Sequence, residues 1–185
     1  INGGARIKNN CIIGDRYQIG SNSVISNSIF AEDIEIGRNC SIGQSGFGFS
    51  ISSTKNVKIF HIGRVVLQSG VNIGSNCTID RGSFGDTIIG SNTFLDNLCH
   101  IAHNVTIGKN SIFAAMTGIA GSAKIGNNVM AGGQVGIAGH ISVGDHVKIA
   151  AKSAVFNNVD DNKTVMGNPA INQYKYLKAY KKNYG

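Results

Sequence analysis

Five histidines, at positions 61, 100, 103, 140 and 146, supply side chains that titrate near neutrality. Two of them share a spacing. His103 is the third residue of the hexapeptide Ile101 to Thr106, and His140 is the fourth of Ile137 to Ser142. Those hexapeptides begin 36 residues apart. Gly121 lies eighteen residues beyond His103, and Gly139 thirty-six beyond it. If eighteen residues make one turn of a solenoid, one edge carries both imidazoles, about 10 Å apart, with glycine backbone between them. Such an edge suits acyl transfer. An imidazole can take a proton from an attacking amine or hydroxyl. The N–H of Gly121, unobstructed by a side chain, can meet a developing oxyanion. Histidines at exposed corners also commonly do no chemistry, and spacing alone leaves both readings open.

The elements that would position these residues follow from a repeat. From Ile89 an apolar residue recurs at every sixth position through Leu95, Ile101, Ile107, Phe113, Ile119, Ile125, Ala131, Ile137, Val143, Ile149 and Val155. The residue after it is usually Gly or Ala; Asp96 and Phe156 are the exceptions. Shifted registers precede it, in Ile7, Ile13, Ile19 and Ile25, in Ile36 and Ile42, and in Ile73 and Ile79. A strict period of six is neither helical nor plainly alternating. It is the signature of a parallel β-helix in which three hexapeptides make a triangular coil. The expected fold is an all-β solenoid, a left-handed parallel β-helix over residues 1–165. A loop insertion is expected at about 44–61, with loops or bulged corners at 26–35 and 80–88. Residues 166–185 read as a C-terminal turn and a short basic helix, with Tyr176, Leu177 and Tyr180 near one face.

Cys11, Cys40, Cys77 and Cys99 all occupy the fifth position of their hexapeptides. Ser, Thr, Ala and Val recur there, so the cysteines read as reduced, structural packing residues of an intracellular protein. A metal site is not expected. The gaps between successive histidines are 39, 3, 37 and 6 residues. None matches the H-x4-H pair of zinc enzymes built on this type of solenoid. Asp96 has two readings, a partner that orients His103 across a subunit boundary or a corner carboxylate bonding local N–H groups. Phe47 and Phe49, between glycines, either wall a substrate groove or cover the core.

Composition agrees with short strands and tight turns, with 25 Gly, 1 Pro and no Trp among 185 residues. The net charge is +7, and Lys175, Lys178, Lys181 and Lys182 contribute four of these in a segment without acids. That segment is a solvated face or a surface for an acidic partner. No arginine-rich stripe or base-stacking motif points to nucleic acid. No signal peptide or membrane span is visible. The chain begins inside an ongoing pattern and reads as a fragment.

The stretches Ile73–Gly82 (Ile-Gly-Ser-Asn-Cys-Thr-Ile-Asp-Arg-Gly), Asp86–Gly90 and Asp96–Asn104 resemble the bacterial UDP-3-O-(3-hydroxyacyl)glucosamine N-acyltransferases of lipid A synthesis. So do Gly46-Phe-Gly-Phe49, His61-Ile-Gly-Arg-Val-Val66 and Gly136-Ile-Ala-Gly-His140. The resemblance implies a cytoplasmic homotrimer with active sites between neighbouring prisms. It implies transfer of a 3-hydroxyacyl chain from the phosphopantetheine arm of acyl carrier protein, with no cofactor, to the 2-amine of UDP-3-O-acylglucosamine. His103 is then the base, Gly121 the oxyanion donor and Asp96 a catalytic partner. His140, Gly139, Asn104, Phe47 and Phe49 line the substrate site, and the basic tail belongs to the region that docks the carrier. An N-terminal uridine-binding domain, part of the family pattern, is absent from this chain. The alternatives are a related sugar O-acyltransferase, an acetyl-CoA-dependent acetyltransferase, or a non-catalytic β-helix scaffold.

Overall fold

A computed structural model describes residues 1–184. The chain winds as a parallel β-helix whose three faces are sheets of eight, seven and nine strands. Successive strands fall on the first, second and third sheet in turn, as in His100–Ile101, Thr106–Ile107 and Ile112–Phe113. Most strands are two residues long, because a hexapeptide has only that much extended chain between corners. The first residue of each hexapeptide points inward. Ile89, Leu95, Ile101, Ile107, Phe113 and Ile119 are all buried, stacked on their equivalents in adjacent coils. Ile101 pairs with Ile119 and Ile119 with Ile137, each eighteen residues on.

Each corner turns through a fourth-position residue in the left-handed region, such as Asn92 (φ 54°), Asn104 (60°) and Asn110 (57°). Asparagine tolerates that conformation because its side chain can bond locally. The fifth position is interior, and it has a second task. Thr93 Oγ1 donates to Gly108 O at 2.9 Å, and Ser111 Oγ to Gly126 O at 3.2 Å. The thiols of Cys40 and Cys77 reach Gly74 O and Asp96 O at 3.0 and 3.2 Å. A small donor there satisfies a corner carbonyl that the ladder leaves over. All four cysteines are free thiols; Cys40, Cys77 and Cys99 are buried and Cys11 is half-buried.

The three breaks in the beat are of different kinds. At 26–35 the chain drops one residue. Cys11 pairs with Ser28, seventeen residues on, whereas Arg6 pairs with Val24, eighteen on. Ser28–Phe30 is a strand with Phe30 in the core. The insertion at 44–61 is an antiparallel hairpin of Phe49–Ile51 and Asn56–Lys58, and strand Ser41–Ser45 runs into it. At 80–88, strand Thr78–Arg81 persists and only a short turn precedes Thr87–Ile89. That turn is built on glycine, since a Cβ at Gly63 or Gly82 would stand 1.8 Å from Gly85 O. Arg64 grips Asp86 through Nε–Oδ1 (3.1 Å) and Nη2–Oδ2 (2.9 Å), and Arg81 Nε donates to Gly63 O at 2.6 Å. The hairpin's return limb is thereby pinned to the coil that follows.

At the far end, Ile171–Asn172 turns back as an antiparallel strand on Thr164–Met166, ahead of the expected basic helix. Asn172 Oδ1 accepts the Tyr174 N–H at 3.1 Å and caps helix Gln173–Tyr184. The Tyr176 ring lies against Gly167 and stacks on Tyr180 at 6.5 Å. Gly185 lies outside the described residues. No described helix is long and apolar enough to cross a membrane.

Phe113 is fully buried and among the largest side chains of the core. Phe113→Ala is expected to destabilise by about 3–5 kcal/mol, through lost burial and a residual cavity, measured by urea denaturation. A loss below about 1 kcal/mol would contradict the stacked core.

Candidate active site

The edge between the first and second sheets carries the corners 102–105, 120–123 and 138–141. His103, Gly121, Gly139 and His140 therefore share one edge, as the spacing requires. The corners are laced together: Ser122 N donates to His103 O at 2.9 Å, and His140 N to Gly121 O at 3.1 Å. His140 is itself the left-handed corner residue (φ 60°), exposed and two coils from His103.

His103 is half-buried and held on three sides. Its Nδ1 lies 3.0 Å from Asn104 Oδ1. That oxygen also accepts the Ser83 N–H (3.0 Å) and Ser83 Oγ–H (2.7 Å), which fixes the orientation of the amide. An acceptor opposite Nδ1 assigns the proton to Nδ1 and leaves the lone pair on Nε2. The Asn104 N–H in turn donates to Thr87 Oγ1 at 2.9 Å. Asn104 thus orients the imidazole, a role that its sequence reading as a substrate ligand missed.

Nε2 faces Gly121. A Cβ there would stand 2.7 Å from Nε2, so only glycine leaves the base unobstructed. Among the described residues the Gly121 N–H has no acceptor, while its neighbours' amides are bonded along the ladder. On the opposite side lies Gly46, at the root of the hairpin. A Cβ on it would come within 2.9 Å of His103 Cβ and 3.2 Å of His61 Nε2.

His61 is the residue that sequence spacing did not find. The hairpin folds it back so that its ring meets His103 at 5.1 Å between centroids, edge to face at 69°. No multiple of eighteen links 61 with 103, because His61 lies within the first insertion and the second lengthens the coil that follows. The one available signal was the motif His61-Ile-Gly-Arg-Val-Val66. Asp80, also buried, accepts Gln44 Nε2 at 2.9 Å and has His100 Nε2 at 3.8 Å.

Asp96, Phe47 and Phe49 each carried two readings. Asp96 does not share the edge of His103. It sits at the corner between the third and first sheets, exposed, where its Oδ1 accepts the Asn97 N–H at 2.7 Å. Within one chain it is a corner carboxylate, because a one-hexapeptide separation moves a residue to the next edge. Phe47 and Phe49 do not cover the core. They pair edge to face at 4.8 Å on the hairpin, and Phe47 is 82% exposed. Among the described residues no three His, Cys, Asp or Glu side chains converge on a common point.

Burial, and next the neighbouring His103, push His61 below the ordinary imidazole range. The unfolded chain takes up a proton at about 6.5, whereas native His61 resists. The stability it supports is complete above that value and is lost as pH falls through the folded value. The melting temperature is expected to drop between pH 7.5 and 5, and His61→Phe to flatten that slope; identical slopes for the two proteins would refute the assignment.

The description "Bacterial transferase hexapeptide (six repeats)" matches residues 86–121, and "Hexapeptide repeat of succinyl-transferase" matches residues 123–155. The chain is 40% identical over 90 residues to the UDP-3-O-acylglucosamine N-acyltransferase of Caulobacter vibrioides, covering 49% of this chain and 26% of that protein. It is 36% identical over 61 residues to that of Methylorubrum extorquens, covering 33% of this chain and 17% of the relative. The chain thus spans about a quarter or less of the length of these relatives. In structure it is similar to the UDP-N-acetylglucosamine O-acyltransferase of Moraxella catarrhalis RH4 (TM-score 0.67, 27% identity, all of this chain and 75% of that one). It shares the fold of the UDP-N-acetylglucosamine acyltransferase of Campylobacter jejuni (TM-score 0.73, 23% identity, 100% and 78%). Over residues 86–155 the chain is thus similar to the hexapeptide-repeat transferases, and the beat and the coil agree with that likeness.

Proposed function

We propose that this chain is the β-helical part of an acyltransferase that moves a 3-hydroxyacyl chain from acyl carrier protein to the 2-amine of UDP-3-O-acylglucosamine. The observation that carries the reading is His103, with Nδ1 tied to Asn104 and Nε2 open beside the unengaged N–H of Gly121. The amine attacks the thioester carbon, and an N–C bond forms. His103 Nε2 takes the proton that the nitrogen sheds. The oxyanion meets the Gly121 N–H. The C–S bond then breaks, and the imidazolium returns the proton to the thiolate. The acyl group arrives activated on a phosphopantetheine arm, so the step requires no resident cofactor. His140 and Gly139, further along the edge, and Phe47 and Phe49 on the hairpin are the surfaces for donor and acceptor. Lys175, Lys178, Lys181 and Lys182 suit an acidic carrier in the cytoplasm.

A homotrimer fits the third sheet. Phe94, Ile112 and Met130 stand in register on it, each about half exposed, beside Leu98 and Met116 on the adjoining edge. Asp96 lies on that same edge, where packing against a second copy would bring it to a neighbour's His103. A scaffold with no chemistry would repeat one residue type along an exposed face, and this edge does not. The related sugar O-acyltransferase is the second reading, favoured by the likeness to the Moraxella enzyme.

In the full-length protein, His103→Ala is expected to lower turnover by roughly 10²–10⁴ with the fold intact by circular dichroism. Near-normal turnover would defeat the proposal. Assays of acyl-carrier-protein and CoA donors against UDP-glucosamine and UDP-N-acetylglucosamine acceptors separate the readings. Ile112→Glu is expected to dissociate the assembly in light scattering and abolish activity together; an active monomer would exclude a shared site.

A further inference from the structure

His61 is the polar side chain that the proposed chemistry leaves unexplained. It is only 4% exposed, and its Nε2 is buried with no hydrogen-bond partner among the described residues. Nδ1 lies 3.0 Å from Ile59 O. A carbonyl can only accept, so Nδ1 carries the proton and Nε2 keeps a lone pair. A buried acceptor without a donor weakens a fold, and an apolar ring of the same shape would avoid that cost. Folding alone therefore gives no reason for an imidazole here. The lone pair also lies at the base itself. The two rings are 5.1 Å apart, and the space at Gly46 is 3.2 Å from His61 Nε2 and 3.1 Å from His103 Cδ2. Gly46 and Gly48, which carry no side chain, lie beside Nε2 at the root of a hairpin whose strands are exposed.

We propose that His61 Nε2 is a second hydrogen-bond acceptor for the nucleophile and thereby selects an amine over a hydroxyl. The inference rests on reading His103 as the base of an acyl transfer. A primary amine brings two hydrogens to the reaction. One leaves to His103 Nε2 as the N–C bond forms, and passes to the thiolate as the C–S bond breaks. The other stays on nitrogen in the amide product and needs an acceptor where water is excluded. The nitrogen gains positive charge as it attacks, so this hydrogen bond strengthens toward the transition state. A hydroxyl brings one hydrogen and loses it to the base. Its oxygen would then turn a lone pair toward the lone pair of Nε2, which disfavours it.

Three charged or titratable neighbours act on His61. His103 and Lys58 disfavour its protonation, together with burial, and Asp80 opposes them. Burial and His103 prevail, which leaves Nε2 an acceptor at neutral pH. Contact with the nucleophile requires the Gly46–Gly48 backbone to yield, a shift of the exposed hairpin and not of the coils.

The test uses the full-length protein, an acyl-carrier-protein thioester and two acceptors differing at one position: UDP-3-O-acylglucosamine and its counterpart with a 2-hydroxyl. His61→Phe keeps the ring and removes the lone pair; His61→Leu serves if that variant does not fold. The variant is expected to melt at the same or a higher temperature. Its kcat/KM on the amine is expected to fall by roughly 10–100-fold, the scale of a charge-assisted hydrogen bond, with little change on the hydroxyl. Equal losses on both acceptors, or no loss on the amine, overturn the inference. Where turnover of the hydroxyl is too slow to measure, calorimetric Kd values for the two acceptors give the same comparison. An unchanged amine preference there also overturns it. His103→Ala distinguishes the two levels. If it stays active, the base reading fails and takes this inference with it. If it is inactive while His61→Phe treats both acceptors alike, only the role of His61 fails.

Discussion

The stacking of each inward side chain on its equivalent in the next coil is the interaction from which the rest of this structure follows. It holds the strand ladders in register, so that an amide at one corner bonds a carbonyl at the corner before it. Residues far apart in the chain then meet without any tertiary packing of the usual kind. His103, Gly121 and His140 lie together because Ile101, Ile119 and Ile137 do. The functional edge is as rigid as the core behind it.

What the ladder cannot supply is a wall. A bare corner exposes its side chains to solvent, and a base in water has neither fixed orientation nor a low-dielectric setting. The two interruptions of the repeat provide both. The hairpin brings Gly46 and His61 against His103, and the short turn brings Ser83 to Asn104. Arg64–Asp86 and the Arg81 bonds to the carbonyls of Ile62 and Gly63 fasten one interruption to the other. The irregular segments are thus where the chain departs from pure repetition to wall the base, and they lie on successive coils of one edge.

This division explains how much could be read in advance. The repeat, the inward residues, the interior fifth position and the shared edge of 103, 121 and 140 all follow from counting, because a solenoid converts sequence distance into position. Counting fails wherever residues are added or removed. It took a deletion of one residue at 26–35 for a loop, although Phe30 is a core residue. It could not place His61 beside the base, because that residue lies inside a stretch of nineteen extra residues (Ser28 pairs with Val65, 37 on, against a coil of eighteen). Asp96 follows the same count: one hexapeptide turns the direction by one face and puts it on the edge before that of His103. Asn104 has a task that counting could not show, since only the orientation of its amide reveals that it faces the imidazole.

The left-handed corners carry a consequence for assembly. Along the edge between the second and third sheets these positions hold Asn92, Asn110 and Asn128, residues that adopt positive φ at little expense. Along the edge between the third and first sheets, Asn22, Asn39 and Asn76 give way to Leu98 and Met116 at φ 63°. A bulky apolar residue in that conformation costs about 1–2 kcal/mol of local backbone energy. Each of the two also leaves about half of its surface in solvent in the single chain. Neither backbone preference nor water favours them there, so the compensation has to come from outside the coil. Strained backbone and exposed apolar surface together thereby single out a strip of two corners, one coil apart, as the part of an isolated prism that is least at rest.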